Sequence, residues 1–288
     1  MIDIKFAAPK TLDEAVALMA GANGSGRILA GGTDLLVQMR SGGRTPGLIV
    51  DVKHIPEMMT IAKSASGYRI GAAVPGAELS EHEGLCADWP GVVEAVDIIG
   101  STQIQGRASA GGNLCNASPA ADSVPAMIAA GATVTIQGPK GRRELPVEKV
   151  CTGPGKTSLE PGEIVVSIAL PARPKGGGDA YLRLTPRTEM DIAVVGMGVN
   201  LTMANGKCTA ARVGLGAVAP TALLVEAAGA ALVGSTLDDE ALEKAAAACR
   251  AACKPIDDKR GTIVYRTKIA GVLLKRAARI AAERAGRK

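Results

Sequence analysis

Apolar positions fall along this chain in short periodic blocks, separated by glycine, proline and polar residues. Residues 11–20 carry apolar side chains at helical spacing. Thr11, followed three residues later by Glu14, forms a capping box at the start of that helix, and Gly21 stops it. Residues 27–30 read as a short buried strand. They run into Gly31-Gly32-Thr33-Asp34, and Leu35, Leu36, Val37 and Met39 then mark a second helix. Residues 48–52 and 68–72 are further strands. A helix starts near Glu78 and another spans 92–99. Residues 106–122 are small and polar and predict a long loop or loop–helix junction, before an apolar helix at 123–130. A strand at 133–136 precedes a turn at 138–141, and a strand at 163–170 ends at Pro171.

Residues 171–178 contain two prolines and three consecutive glycines, the best linker candidate in the chain. Beyond them, strands are predicted at 181–185, 192–203 and 209–218. Asn205-Gly206 suits the type I′ turn of a hairpin between the last two. Helices at 221–232, 238–253 and 262–284 close the chain. Strands and helices alternate early and segregate late, which argues for an α+β class. A length of 288 residues favours two domains over one.

Composition narrows the function. Apolar residues make up 47%, but there are one Phe, one Trp and three Tyr, so the core is aliphatic. The net charge is +5, and the positive residues concentrate after Lys254. Tyr265 is the only aromatic residue near them, so they read as the solvated face of a C-terminal helix rather than a nucleic-acid surface. The N-terminus has an early acid and no apolar core segment, and no uncharged apolar run reaches about 18 residues. A cytoplasmic protein without a membrane span is expected. There the six cysteines would remain thiols. Cys249 and Cys253, four apart, read as core residues sharing a helix face, and no cysteine spacing offers three or four clustered metal ligands. His54 and His82 are too few for a histidine metal site and are assigned structural or solvent-facing roles.

Two glycine pairs carry the candidate chemistry. Leu29-Ala30-Gly31-Gly32-Thr33-Asp34-Leu35 lies between a strand and a helix, and Ser109-Ala110-Gly111-Gly112-Asn113-Leu114 repeats the theme. Adjacent glycines bring bare backbone amides close to an anion, so two such loops could hold a diphosphate from both sides. The polar tail Asn113, Asn116, Ser118 and Asp122 strengthens the second. Other nucleotide motifs fail. Neither loop has the G-x-G-x-x-G spacing. Gly153-Pro154-Gly155-Lys156-Thr157 would need its first P-loop glycine where Val150 stands. No nucleophile–base set of a hydrolase appears, so no catalytic residue is assigned, and the chemistry falls to a bound cofactor.

Residues 30–36, Ala-Gly-Gly-Thr-Asp-Leu-Leu, resemble the first FAD-diphosphate loop of the medium, flavin-binding subunits of molybdenum hydroxylases, the carbon monoxide and xanthine dehydrogenase family. Residues 99–114, Ile-Gly-Ser-Thr-Gln-Ile-Gln-Gly-Arg-Ala-Ser-Ala-Gly-Gly-Asn-Leu, resemble that family's second loop, and 116–122 its continuation. Residues 162–171 look like its strand before the linker, and 181–193 like the start of its C-terminal domain. The matches occur in order over most of the chain. The second loop departs from the family's usual Thr-Ile-Gly-Gly, keeping a hydroxyl at Ser109 but shrinking the next side chain to Ala110. Arg183 stands where many members have Lys.

The resemblance implies an FAD-binding domain of the vanillyl-alcohol-oxidase (PCMH) type over 1–174, with subdomains at about 1–55 and 56–174. A C-terminal domain at 177–288, a small antiparallel sheet with helices, would follow. It implies non-covalent FAD held by Leu29, Ala30, Gly31, Gly32, Thr33, Asp34 and Leu35 and by Thr102, Ser109, Ala110, Gly111, Gly112 and Asn113. Asp122 would accept from ribityl or ribose hydroxyls, Ile164 and Val165 would pack beside flavin or adenine, and Tyr181 and Arg183 would lie near the isoalloxazine. Partners would be a large molybdenum-pterin subunit and a small subunit with [2Fe–2S] clusters, in a heterotrimer. This chain would pass electrons from the clusters to NAD, a quinone or another acceptor. The alternative is a self-sufficient FAD oxidoreductase of the vanillyl-alcohol-oxidase type, which needs a substrate pocket and an acid–base or flavin-linking residue.

Overall fold

The computed structural model describes residues 4–286. The chain opens with β1 (Lys5–Ala7), α1 (Leu12–Gly21), β2 (Gly26–Leu29), α2 (Leu35–Arg40) and β3 (Leu48–Asp51). These strands form a parallel three-stranded sheet in the order β1-β3-β2. The capping box at α1 is present: Thr11 Oγ1 accepts from the Glu14 amide at 3.3 Å, and Glu14 returns to the Thr11 amide at 3.3 Å. β2 and β3 end at the same edge of the sheet, so the first glycine pair emerges at its C-terminal rim. That is where parallel sheets present their loops to ligands.

A second unit follows, with β4 (Ile61–Ser64), β5 (Gly67–Gly71), α3 (Gly76–Glu81), α4 (Glu83–Asp88) and α5 (Pro90–Asp97). Next come α6 (Thr102–Gln105), α7 (Ala110–Cys115), α8 (Ser123–Ala130), β6 (Thr133–Gly138) and β7 (Gly141–Pro146). A small hairpin of β8 (Cys151–Gly153) and β9 (Lys156–Thr157) leads to β10 (Ile164–Pro171). The five-stranded antiparallel sheet runs β4-β5-β10-β6-β7. β10 lies at its centre and is buried over most of its length, as its sequence Ile-Val-Val-Ser-Ile-Ala-Leu-Pro requires. The segment expected as a long loop or loop–helix junction at 106–122 contains α7, which begins where Ser109 caps it. All eight residues of α8 are buried, so this helix is apolar all round and sits inside the protein.

β11 (Gly177–Leu184), β12 (Val195–Ala204), β13 (Lys207–Gly216) and β14 (Leu223–Leu224) form an antiparallel four-stranded sheet. α9 (Glu226–Leu232), α10 (Asp239–Ala252) and α11 (Ile263–Gly286) complete the chain. The result is an α+β protein with two hydrophobic cores, one under the five-stranded sheet and one between the last sheet and α9–α11. Among the described residues, no helix is long and apolar enough to cross a membrane.

Three expectations change. Gly177 and Gly178 belong to β11 rather than to a linker: a Cβ at Gly178 would overlap the Ala281 carbonyl of α11, so this glycine permits close packing. Leu223 and Leu224 form a strand before α9 starts. Cys249 is buried within α10, but Cys253 is half-buried at its C-cap, its thiol donating to the Cys249 carbonyl at 3.2 Å. Of the late basic residues, Lys254, Lys259, Lys268, Arg276 and Arg279 are exposed, whereas Arg266 is buried and the half-buried Arg284 pairs with Glu94 of α5.

Candidate functional site

Both glycine pairs open onto one cleft of about 450 Å³, within the usual range for small-molecule sites. Gly32 has φ +78°, a conformation that side chains resist, so a glycine is needed there. A Cβ at Gly31 would overlap the Arg107 carbonyl, and one at Gly111 would overlap the Ala72 carbonyl. The missing side chains therefore let the two loops seat against neighbouring backbone. The amides of Gly31, Gly32, Thr33 and Asp34 have no acceptor among the described residues. Four consecutive bare amides beside a cleft form a concave donor surface for an anion.

The second loop is ordered by Ser109, whose Oγ accepts from the Gly112 amide at 3.0 Å. Asn113 Oδ1 accepts from the Ser123 amide at 3.2 Å and from its hydroxyl at 2.7 Å, tying α7 to α8. Gln38 Nε2 donates to Asn116 Oδ1 at 2.9 Å, so α2 and the end of α7 are joined directly. Ile164 and Val165 supply an apolar wall from β10.

Of the residues proposed from sequence, Ala30, Gly31, Gly32, Thr33, Asp34, Leu35, Ser109, Gly111, Gly112, Asn113, Ile164 and Val165 line the cleft. Leu29, Thr102 and Ala110 do not. Leu29 is the last residue of β2, with its carbonyl taken by the Val52 amide at 3.2 Å. Thr102 is exposed on α6, and Ala110 is buried in the first turn of α7. Asp122, Tyr181 and Arg183 form a separate buried cluster. Tyr181 Oη donates to Asp122 Oδ1 at 3.0 Å, and Arg183 donates to Asp122 Oδ2 at 2.8 Å. Burial pushes the Asp122 carboxyl up to about 6, against the opposing pull of Arg183 and Tyr181. Both oxygens thus have partners within the chain, and the cluster backs the second loop through Ser123 and Asn113.

The family model described as the FAD binding domain in molybdopterin dehydrogenase matches residues 2–173, more than half of the chain. The chain belongs to this FAD-binding medium-subunit family. The model of the carbon monoxide dehydrogenase flavoprotein C-terminal domain matches residues 180–281. The carbon monoxide dehydrogenase medium chain of Afipia carboxidovorans is 38% identical over 277 residues, covering 96% of each chain. The xanthine dehydrogenase FAD-binding subunit of Escherichia coli O157:H7 is 35% identical over 213 residues, covering 73% of each. The solved carbon monoxide dehydrogenase of Oligotropha carboxidovorans superposes with a TM-score of 0.94 at 37% identity, with 98% of both chains covered.

As a medium subunit of an oxidoreductase complex, the chain binds FAD, and the cleft fits that cofactor. Bare amides meet the diphosphate's need for donors, and the glycine contacts leave the backbone within reach of it. Arg27, Gln38, Arg44 and Asn116 also line the cleft, and the site list drawn from sequence lacks them. Asn116 was visible as part of the polar tail after the second glycine pair. The other three carry no local signal, because only the folding of β2 and α2 around the cleft gives them a role.

Proposed function

We propose that this chain is the electron-transfer subunit of a molybdenum hydroxylase complex, receiving electrons from the [2Fe–2S] clusters of a small partner and delivering them to an external acceptor such as NAD or a quinone. A large molybdenum-pterin partner would oxidise the substrate. The observation that carries this reading is the row of unpaired amides from Gly31 to Asp34, on residues that line one cleft together with the second glycine pair. Bound FAD supplies a redox centre that exchanges electrons singly or in pairs.

In this reading the two loops bind the diphosphate, and Ile164 and Val165 exclude water from one wall. Asp122, Tyr181 and Arg183 brace the second loop from behind. The relatives named medium chains support a multi-subunit setting, and the free state of all six cysteines fits the reducing cytoplasm. The self-sufficient alternative finds no support in the histidines. His82 caps α4, accepting from the Leu85 amide at 3.1 Å, and neither histidine lines the cleft.

The test is a visible spectrum of the purified complex before and after acid precipitation, followed by reduction assays with its flavin stripped. Flavin bands released as FAD are expected. So is retained iron–sulfur reduction with loss of acceptor reduction. A colourless chain that takes up no FAD beside its partner subunits overturns the proposal.

A further inference from the structure

The first glycine loop is held from behind by a residue outside the cleft. Lys53 follows β3, and its ammonium donates to the Ala30 carbonyl at 2.9 Å and to Asp51 Oδ1 at 2.6 Å. Asp51 Oδ1 also accepts the Lys53 amide at 3.0 Å. Both side chains are largely withdrawn from solvent, with exposures of 18% and 11%. The contact extends the parallel ladder of β2 and β3. The Val52 amide takes the Leu29 carbonyl, and the next carbonyl along, that of Ala30, goes to the Lys53 side chain instead of a backbone amide.

We propose that Lys53 is a positioning residue for the diphosphate loop, pinning the Ala30 carbonyl so that the Gly31 amide and those after it face the cleft. In a trans peptide the C=O and N–H point in opposite directions, so anchoring the oxygen on Lys53 aims the Gly31 amide the other way. Ala30 and Gly31 line the cleft, and the Gly31 amide has no acceptor among the described residues. The pin matters because the loop is glycine-rich. Without Cβ atoms, Gly31 and Gly32 allow many orientations of these peptides, and ordering them would then fall to the ligand. Asp51 neutralises the ammonium at close range, so Lys53 acts through geometry rather than by long-range attraction of phosphate. This inference rests on the FAD-binding reading of the cleft.

The experiment compares wild type, Lys53→Met and Lys53→Arg, each as the full chain in its complex with flavin removed, titrated with FAD, ADP and riboflavin. Loss of a charge-assisted hydrogen bond predicts about tenfold or more weakening of FAD and ADP in Lys53→Met, with riboflavin unchanged to within about twofold. Lys53→Arg, which keeps a donor, should recover most of the FAD affinity. FAD affinity equal to wild type, or an equal loss for all three ligands, overturns the proposal. Should Lys53→Met fail to fold, Lys53→Gln keeps a polar side chain but is uncharged and one bond shorter, so the ammonium's bond to the Ala30 carbonyl is lost. It should weaken FAD and ADP selectively, and unchanged FAD affinity there overturns the proposal equally. A wild type that takes up no FAD would instead sink the functional reading itself.

Discussion

At the scale of single residues, the site depends on side chains that are absent. Gly31 abuts the Arg107 carbonyl, so Gly31→Ala places a methyl against backbone that cannot rotate away. Overpacking of this kind costs about 1–3 kcal/mol, here borne by the contact between the two loops. The expected outcome is a fall in FAD affinity larger than the fall in thermal stability, read by flavin titration alongside a melting curve. Asp122 supplies a pH signature. Its folded carboxyl is raised to about 6 from an ordinary value near 3.8, so between these values the folded state binds more protons than the unfolded one. Stability contributed by this group is therefore gained as pH falls through about 6 and lost as pH rises through it. Urea unfolding of wild type and Asp122→Asn should show the difference shifting toward wild type between pH 6.5 and pH 4.5 (roughly that window). A difference independent of pH would mean that Asp122 does not titrate there.

At the scale of elements, the clearest local signals are those where backbone geometry demands a residue type. Asn205 and Gly206 have φ values of +49° and +74°, the two left-handed positions of the turn joining β12 to β13. Gly206→Ala should cost about 1 kcal/mol in chemical denaturation, and Asn205→Gly should cost much less. That turn, the capping box of α1, the apolar run of β10 and both glycine pairs were legible in the sequence for the same reason: each leaves its mark within a few residues. β1, β4 and β7 were not. β1 has three residues, β4 carries the exposed Lys63 and Ser64, and β7 is largely exposed on the sheet edge, so none shows a buried run or clear alternation. The short α6 and α7 hide in a glycine-rich stretch whose composition resembles a loop. Around the site, Lys53 and Gln38 stayed invisible because each acts on a neighbour fixed only by tertiary structure, and Arg44 because only the fold brings it to the cleft.

At the scale of the whole molecule, the two cores are joined by polar contacts around Arg173, just after β10. Its guanidinium stacks on the Trp89 ring at 3.7 Å, and it donates to the Asp88 carbonyl, Asn200 Oδ1 and Asp179. Asp179 of β11 also accepts from the Val92 amide of α5 at 3.2 Å, while Arg284 of α11 donates to the Asp179 carbonyl at 2.8 Å. The side chains of Arg173 and Asp179 are 4% and 5% exposed, so neither charge is offset by water. Arg173→Met keeps much of the packing on Trp89 but leaves Asp179 without its cation. Breaking a buried pair from one side costs about 3–5 kcal/mol, whereas replacing both charges by apolar groups costs far less. Arg173→Met should therefore lower stability strongly, and adding Asp179→Leu should recover a large part of the loss in a double-mutant cycle by urea unfolding. A double variant as unstable as Arg173→Met would show that lost contacts to Asn200, Asp88 and Val92, rather than a stranded carboxylate, hold the two halves together.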